Sequence, residues 1–505
     1  MSVWRSGVTP PWRSVLAAIS GALLTFAFAP YNLWPLAIVC PALLFALWQD
    51  ATPRAAARIG FSFGAGLFAL GTWWLYISIR QFGSAALWLT LLLMVALVAI
   101  MSLWYALLGY LAARWLPRAG VRRWLLGLPG LWVLIEWLRG WVASGFPWLT
   151  LGYSQTDTWL KSFAPIGGVY ALSALLAVFA GALVTLWLGR TRQRAIALVV
   201  LIAPWPMGLL LARHSWTRPA GDPVPVAVLQ GAFAPDVKWL ESNNEATRAL
   251  YRKLNTEALG ARLIVWPESA IPELANSIVP YLSGIYGESR AHGSDLVIGL
   301  VRANLDTDQY YNSVMVLSDK PQWYDKRHLV PFAEYFPVPA FVRQWLRLMS
   351  LPYSDFTAGS EAQGAYSAGG TRLALTICYE DVFGAAQRKP LAEAELLVNV
   401  TNDAWFGHSA ARYQHFQMGR MRVLEADRPL VRAANDGLSA LVDADGRVLA
   451  TAPEYQPAVL RGTVQPRQGL TPYARAGDWP VLVLAGIVLV LARPWRRRTA
   501  WSSRA

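Results

Sequence analysis

The composition of this chain is that of a membrane protein. Of its 505 residues, 55% are hydrophobic and only 15% are charged, and the mean hydropathy is positive, so the chain is too apolar for a single soluble domain. The net charge is +14, but the arginines lie between apolar runs and near the C-terminus instead of forming one basic face. This distribution indicates orientation in a membrane, and we expect no binding of nucleic acid.

Seven apolar runs precede a long polar region, and an eighth follows it. We predict transmembrane helices at about Val15 to Ala29, Leu33 to Leu47, Ile59 to Ile79, Ala86 to Ala112, Trp124 to Leu138, Ile166 to Leu188, Ala195 to Leu211 and Trp479 to Ala492. Several are shorter than the ~20 residues that a perpendicular helix needs, so the sequence does not define their ends sharply. Arginines cluster on alternate loops, which is the positive-inside pattern and places both termini in the cytoplasm.

These spans predict three parts of the chain. Residues 1–220 form a membrane domain with seven transmembrane helices, residues 221–475 form an external domain, and residues 476–505 form the eighth helix and a basic cytoplasmic tail. The external part alternates strand and helix patterns, which is typical of a layered α/β domain. Predicted strands are Val224 to Leu229, Leu263 to Val265, Leu296 to Leu300, Ser313 to Leu317, Leu373 to Ile377, Leu396 to Val400 and Leu438 to Val442, and predicted helices are Asn243 to Leu259 and Arg412 to Asp427.

Three short motifs of the external part carry side chains that suit nucleophilic catalysis. Cys378, one of only two cysteines, follows the apolar run LALTI, while Glu268 follows LIVWP and Lys326 lies in YDKRH. The other cysteine, Cys40, lies in an apolar run, so a disulfide framework is excluded and Cys378 is predicted to be a free thiol. A nearby lysine lowers the pKa of a thiol, and a carboxylate takes and returns its proton. We therefore predict a Glu-Lys-Cys catalytic site.

Each of these residues also has a structural interpretation. A single cysteine is often a small core residue, and an acidic side chain after a strand often caps a helix. Lys326 and Glu334 could form an ordinary surface pair, and Glu380 could only orient its neighbours. Trp405 could simply pack in the core. The combination of motifs favours catalysis over these separate explanations.

The motifs WPES, YDK with HLVPFAE, TICYE and NVTNDAWFG, in this order and spacing, resemble those of the nitrilase superfamily. That resemblance implies an α/β nitrilase-like domain, a four-layer αββα sandwich. Joined to a multi-span α-helical membrane domain, the motifs closely resemble the apolipoprotein N-acyltransferase family over essentially the whole chain.

The family resemblance implies a role for each matching position. Glu268 would be the general base, Lys326 would stabilise the tetrahedral oxyanion, and Cys378 would form a thioester. The resemblance adds as accessory or substrate-binding residues Glu334, Tyr379, Glu380, Trp239 and Trp405. It calls for no metal and no cofactor.

The same resemblance implies a reaction and a location. The enzyme would take the sn-1 acyl chain of a phospholipid, typically phosphatidylethanolamine, and transfer it to the α-amine of a lipoprotein's N-terminal S-diacylglyceryl cysteine. It would lie in the bacterial inner membrane with its catalytic domain in the periplasm. One alternative is a membrane-tethered nitrilase-like amidase or hydrolase, in which water resolves the thioester. The other is a transporter or assembly scaffold without catalysis.

An unusually apolar segment follows the Lys326 and Glu334 motif. Between Phe341 and Phe356 the sequence reads FVRQWLRLMSLPYSDF, which places apolar side chains beside two arginines. Such a segment suits an interfacial contact with lipid. We predict that it acts as a lid or lipid guide.

Overall fold

The chain folds into a helical region followed by an α/β region. The computed structural model describes residues 10–335 and 356–493, so nearly all of the predicted lid falls outside the described residues. The α-helices are α1 (Trp12–Leu24), α2 (Leu36–Leu47), α3 (Pro53–Gly71), α4 (Leu87–Trp115), α5 (Leu128–Arg139), α6 (Ala164–Leu188), α7 (Thr191–Ile202), α8 (Pro204–Leu211), α9 (Pro235–Lys238), α10 (Asn244–Ala258), α11 (Val279–Ala291), α12 (Gly384–Gln387), α13 (Ala411–Ala426), α14 (Pro472–Ala476) and α15 (Trp479–Ala492).

Helices occur in every region where a span was predicted; the last span, Trp479 to Ala492, matches its helix at both ends, and the others differ at one end or both. Among the described residues, three helical stretches are long and apolar enough to cross a membrane: α4, a stretch that runs from Trp159 through α6, and α7 continued by α8. The predicted span Ile59 to Ile79 is wrong at both ends. Its helix, α3, begins earlier because Thr52 caps it and Pro53 occupies its first turn, and it ends at Gly71. The division into eight spans and three domains stays a prediction.

Small residues allow the first helices to pack closely. A Cβ added at Gly21 of α1 would overlap the carbonyl oxygen of Phe63 in α3, and one added at Gly60 of α3 would overlap that of Tyr105 in α4. Close backbone approach at small residues is typical of helix packing in lipid, where burial of apolar surface between helices gives little driving force. Glycine at these positions therefore sets the spacing of α1, α3 and α4.

The α/β region contains two six-stranded sheets and a short two-stranded ladder. Its strands are β1 (Arg218–Pro219), β2 (Val224–Gln230), β3 (Leu263–Val265), β4 (Asp295–Asn304), β5 (Gln309–Leu317), β6 (Pro321–Asp325), β7 (Tyr366–Ala368), β8 (Thr371–Ile377), β9 (Leu396–Thr401), β10 (Leu430–Ala434), β11 (Ala440–Val442), β12 (Val448–Thr451), β13 (Ala458–Val464) and β14 (Arg467–Gln468). One sheet has the order β13-β2-β3-β4-β5-β6, and the other has the order β12-β11-β10-β9-β8-β7. Each of the seven predicted strands overlaps an observed strand, although β11 begins at Ala440, two residues after the predicted start.

The two sheets and their helices form the predicted four layers. Alternate residues of β3 point in opposite directions, as the twofold repeat of a strand requires. Leu263 and Val265 join the core between the two sheets, whereas Ile264 packs in the core that lies under α10 and α11. On the far side, Phe416 and Val423 of α13 pack against the second sheet. The αββα sandwich is thus confirmed.

Helix α13 connects the sandwich to the helical region. Of its sixteen residues, all but Tyr413 and Arg420 are buried. Phe416 faces the second sheet, while Met418 and Met421 belong to the large core formed with the N-terminal helices. A helix buried on every side must have apolar or hydrogen-bonded partners all round. The two regions therefore share this helix as a common layer.

Candidate active site

The three predicted catalytic side chains follow the C-terminal ends of three strands. Cys378 follows β8 directly, Lys326 follows β6 directly, and Glu268 lies three residues after β3. The Nζ atom of Lys326 is 3.6 Å from Oε1 of Glu268, and both charges act on the Cys378 thiol. The fold therefore brings all three together, although β8 belongs to a different sheet from β3 and β6.

The backbone around Glu268 is fixed by its neighbours. A Cβ added at Gly299 of β4 would overlap the carbonyl oxygen of Pro267, so the Glu268 segment crosses β4 at a point where only glycine fits. Trp266 is fully buried and stacks on Tyr251 at 4.9 Å between ring centroids. These contacts hold the short turn after β3 in one place and leave the Glu268 carboxylate directed into the site.

Lys238 is a buried amine behind this turn. Its Nζ atom donates to the backbone oxygen of Glu268 at 3.4 Å, and the side chain is fully buried. Burial lowers the pKa of Lys238 to about 7, although the Glu268 carboxylate opposes this change. The sequence analysis missed this role because Lys238 lies in a polar stretch that resembles a surface turn.

Asn312 of β5 links the two carboxylates of the site. Its Nδ2 atom donates to Oε1 of Glu268 at 2.7 Å and to Oε1 of Glu334 at 2.9 Å. Glu334 also accepts a hydrogen bond from Nζ of Lys326 at 2.8 Å. Burial opposes the charge of Lys326, but the attraction of Glu334, Glu268 and Cys378 raises its pKa overall. Lys326 is thus a permanent cation between two carboxylates.

The Cys378 backbone adopts an uncommon conformation. Its φ angle is 50°, in the left-handed region that non-glycine residues seldom adopt and that often marks functional sites. The chain turns here from β8 into a short 3-10 helix, which presents the thiol at the end of the sheet. Cys378 is a free thiol, as predicted, and Cys40 is free as well.

Desolvation and the charge of Glu268 raise the pKa of the Cys378 thiol well above its usual value, whereas Lys326 opposes this change. The resting thiol therefore keeps its proton at neutral pH, and it needs a base when it attacks. Glu268 and Lys326 are the charged groups that act most strongly on it. Such a site suits covalent acyl transfer with proton exchange between thiol and carboxylate.

Glu380 ties the nucleophile turn to the lysine segment. Its Oε1 atom accepts from the backbone N–H groups of Arg327 and His328 at 2.7 and 3.2 Å. Its Oε2 atom accepts from the Ile377 N–H at 2.8 Å and from the Tyr324 hydroxyl at 2.7 Å. These four bonds support the structural interpretation of Glu380, since they fix Cys378 relative to Lys326.

The remaining predicted residues lie farther out. The hydroxyl of Tyr379 donates to the backbone oxygen of Gly145 in the helical region at 3.2 Å. Trp405 packs edge-on against Phe82 with 6.1 Å between ring centroids, at the junction of the two regions. Trp239 is exposed at the end of α9. Their substrate-binding roles stay predictions.

The helical region supplies one wall near the thiol. Arg139, at the end of α5, donates to the carbonyl oxygens of Phe146 and Trp148 at 2.6 and 2.7 Å, while Glu136 accepts from the Leu151 N–H at 2.8 Å. Both charged side chains are buried and hold the loop that contacts Tyr379. The sequence signal was present in LIEWLRGW, where two charges interrupt an apolar run.

Two family models match this chain, one in each region. The profile described as "Apolipoprotein N-acyltransferase N-terminal domain" matches residues 20–182, and the one described as "Carbon-nitrogen hydrolase" matches residues 226–473. Among solved structures, a CN-hydrolase superfamily protein from Xanthomonas campestris is 18% identical with a TM-score of 0.36, covering 52% of this chain and 97% of its own.

Curated relatives match nearly end to end. The apolipoprotein N-acyltransferase of Methylococcus capsulatus is 41% identical over 489 residues, covering 97% of this chain and 97% of the relative. That of Azotobacter vinelandii is 42% identical over 496 residues, covering 97% of this chain and 96% of the relative. The match spans both the helical region and the sandwich that carries Glu268, Lys326 and Cys378. The chain therefore belongs to the apolipoprotein N-acyltransferase family.

Proposed function

We propose that the protein acylates the α-amine of the N-terminal S-diacylglyceryl cysteine of lipoproteins, with a membrane phospholipid as the acyl donor. The observation that carries this proposal is the position of the Glu268, Lys326 and Cys378 site. It lies in a nitrilase-like sandwich, and the Tyr379 beside the nucleophile bonds to the apolar helical region. In this proposal, a thiol at this junction lies within reach of both lipid and an external peptide.

In the first half-reaction, the Cys378 sulfur attacks the sn-1 ester carbonyl while its proton passes to Glu268. The negative charge that develops on the carbonyl oxygen is stabilised by Lys326, whose ammonium group is already fixed by Glu334. Collapse breaks the ester C–O bond, and Glu268 returns the proton to the departing glycerol oxygen. The products are a Cys378 thioester and a lysophospholipid.

In the second half-reaction, the acceptor amine attacks the thioester carbonyl and gives a proton to Glu268. Collapse breaks the C–S bond, forms the amide, and returns the proton to the Cys378 sulfur. Water could attack in the same way, so the site must favour the amine by orientation and by exclusion of solvent. We propose phosphatidylethanolamine as the preferred donor, in keeping with the family resemblance.

The decisive experiment is the fate of the acyl-enzyme. Protein acylated with phosphatidylethanolamine and freed of excess lipid is mixed with a diacylglyceryl-cysteine peptide, and intact mass follows the acyl increment. We expect the free amine to discharge the thioester at least about 100-fold faster than buffer does, because an oriented amine competes with excluded water.

The control is the same peptide with an acetylated α-amine, which has the same lipid part but cannot accept the acyl chain. Equal discharge by both peptides and by buffer would support the hydrolase alternative. If no acyl increment forms with any phospholipid, the transfer proposal is wrong, and the scaffold alternative gains support.

We further propose that the protein lies in the bacterial cytoplasmic membrane, with the sandwich on the periplasmic side and both termini in the cytoplasm. The arginine clusters on alternate loops support this orientation. Thr307 lies in an exposed turn of the sandwich and Arg118 in an exposed loop after α4. These two sites are predicted to lie on opposite sides of the membrane.

Single cysteines at these two sites test the orientation. In a Cys40→Ala and Cys378→Ala background, we expect a membrane-impermeant maleimide to label Thr307→Cys in intact spheroplasts, whereas Arg118→Cys should react only after lysis. Because both positions are exposed on the protein, a difference reports the membrane barrier. The reverse labelling pattern would require the opposite orientation.

A further inference from the structure

A buried ionic cluster lies directly behind the nucleophile turn, and the reaction steps above do not use it. His415 of α13 and Arg432 of β10 each have an exposed side-chain fraction of at most 1%. Arg432 donates from Nη1 to Oδ2 of Asp381 at 2.8 Å and from Nη2 to Oδ2 of Asp403 at 2.9 Å. Buried charges of this kind cost free energy unless they are paired, so we expect the cluster to have a structural or functional role.

His415 connects this cluster to the nucleophile. Its Nδ1 atom is 2.8 Å from Oδ1 of Asp403. Its Nε2 atom forms an ion pair with Oδ1 of Asp381 at 2.9 Å. The same Nε2 atom also forms a hydrogen bond with the backbone oxygen of Cys378 at 3.2 Å. The imidazole thus bridges Asp403 and the nucleophile's own peptide group.

The charges of the cluster favour a doubly protonated imidazole. Burial opposes the charge of His415, and Arg432, whose Nη2 atom is 3.0 Å from Nδ1, opposes it as well. The attraction of Asp381 and Asp403 outweighs both and raises the pKa of His415 to about 9. The pKa of Asp403 is held far below its usual value by the charges of His415 and Arg432. His415 can therefore donate from both nitrogens at neutral pH.

The carbonyl that His415 holds belongs to a residue in a rarely adopted conformation. Cys378 has a φ angle of 50°, and such a backbone persists only where surrounding contacts determine it. Glu380 fixes the N–H group of Ile377 on one side of the cysteine, and His415 fixes the Cys378 carbonyl on the other. Together they hold the turn that aims the thiol.

We propose that His415, held between Asp403 and Asp381, is a positioning residue that fixes the Cys378 carbonyl and thereby aims the thiol at the acyl carbonyl of the donor. This role deepens the proposed function and rests on it for the identity of the reaction. His415 acts through the backbone of Cys378 and has no part in binding lipid or transferring protons to it.

Two amide substitutions separate the two bonds of the imidazole. The side-chain nitrogen of His415→Gln takes the place of Nε2 and keeps a donor for the Cys378 carbonyl. That of His415→Asn takes the place of Nδ1 and keeps the bond to Asp403. Both variants remove the positive charge and keep a buried amide; they differ in the bond that is retained and in one methylene group, whose effect on packing is read from thermal unfolding. Gln417→Ala is the packing control, because Gln417 is buried on the same helix but contacts the helical region instead.

The measurements are kcat and KM for acyl transfer and the rate at which iodoacetamide alkylates Cys378 in a Cys40→Ala background. We expect His415→Asn to lose about 100-fold in kcat and His415→Gln no more than about 10-fold, the range associated with one hydrogen bond from a charged group. The KM for phospholipid should stay within about twofold in both, since neither bond touches lipid. Gln417→Ala should keep kcat within about threefold of the unsubstituted protein.

The alkylation rate should follow the same order, His415→Gln above His415→Asn, and this readout does not depend on acyl transfer. Equal kcat and equal alkylation in the two amide variants would overturn the proposal, as would a loss confined to KM. If the unsubstituted protein transferred no acyl chain, the proposed function would fail, while the alkylation rates would still decide the positioning role. Thermal unfolding of each variant shows whether a lower rate is accompanied by lower stability. A rate difference that only follows the loss of stability would also overturn the proposal.

Discussion

Replacing Cys378 by serine is expected to abolish the acyl-enzyme, with a fall in acyl transfer of at least about 10⁴-fold, the scale seen when a catalytic nucleophile is removed. A hydroxyl is far less acidic than a thiol, and the site already raises the pKa of Cys378 through desolvation and the charge of Glu268. A serine hydroxyl would meet the same conditions with a weaker acid. Intact mass after incubation with phospholipid checks this expectation.

Cys40→Ser is the matched control, since it makes the same change at the other free cysteine, which is buried in α2. We expect it to accumulate the full acyl increment, and hydroxylamine at neutral pH should remove that increment because thioesters are sensitive to it. An acyl increment on Cys378→Ser equal to that of the unsubstituted protein would show that the acyl chain is carried elsewhere.

Lys326→Met should cost at least about 10³-fold in the rate of acyl-enzyme formation, more than the loss of a single oxyanion donor. The substitution removes the cation nearest to the developing oxyanion. It also leaves Glu268 and Glu334 close together, joined through Asn312, without the cation that now lies between them. Single-turnover acylation followed by intact mass measures the effect.

Lys320→Met is the control for loss of a lysine, because Lys320 is exposed in the turn just before β6. It should acylate at the rate of the unsubstituted protein. Thermal unfolding of Lys326→Met would show whether the buried carboxylates also destabilise the fold, as removal of one partner of a buried ion pair usually does by about 3 to 5 kcal/mol. Acylation of Lys326→Met within about tenfold of normal would contradict the proposed role.

Sequence periodicity was sufficient to predict the strands and helices that have a simple apolar pattern. Strand β3 and helix α10 were predicted within one residue of their observed ends, because each has a clear apolar pattern and neighbouring polar residues. Strand β6 was missed, since PQWYD has no alternation of apolar and polar residues. Strand β10 was also missed, because its central Arg432 reads as exposed unless the buried carboxylates that pair with it are known.

The candidate site was predictable to the extent that its residues lie in short local motifs. Glu268, Lys326 and Cys378 each follow a strand, and their motifs identify them without any knowledge of distances. Asn312 and His415 were missed for a different reason: each lies in an element whose pattern is explained by packing alone. Their roles arise from contacts across 44 and 37 residues of chain, which a local pattern does not contain.

Helix α13 has a consequence for how this protein can be handled and how it evolves. Because the helix belongs to two hydrophobic cores, cutting the chain before the sandwich would expose Met418 and Met421 to water, and the freed sandwich would present an apolar face prone to self-association. A water-soluble catalytic fragment would need that face redesigned with polar residues. Substitutions on either side of α13 must also remain compatible with both cores. The helical region and the sandwich are therefore constrained to change together.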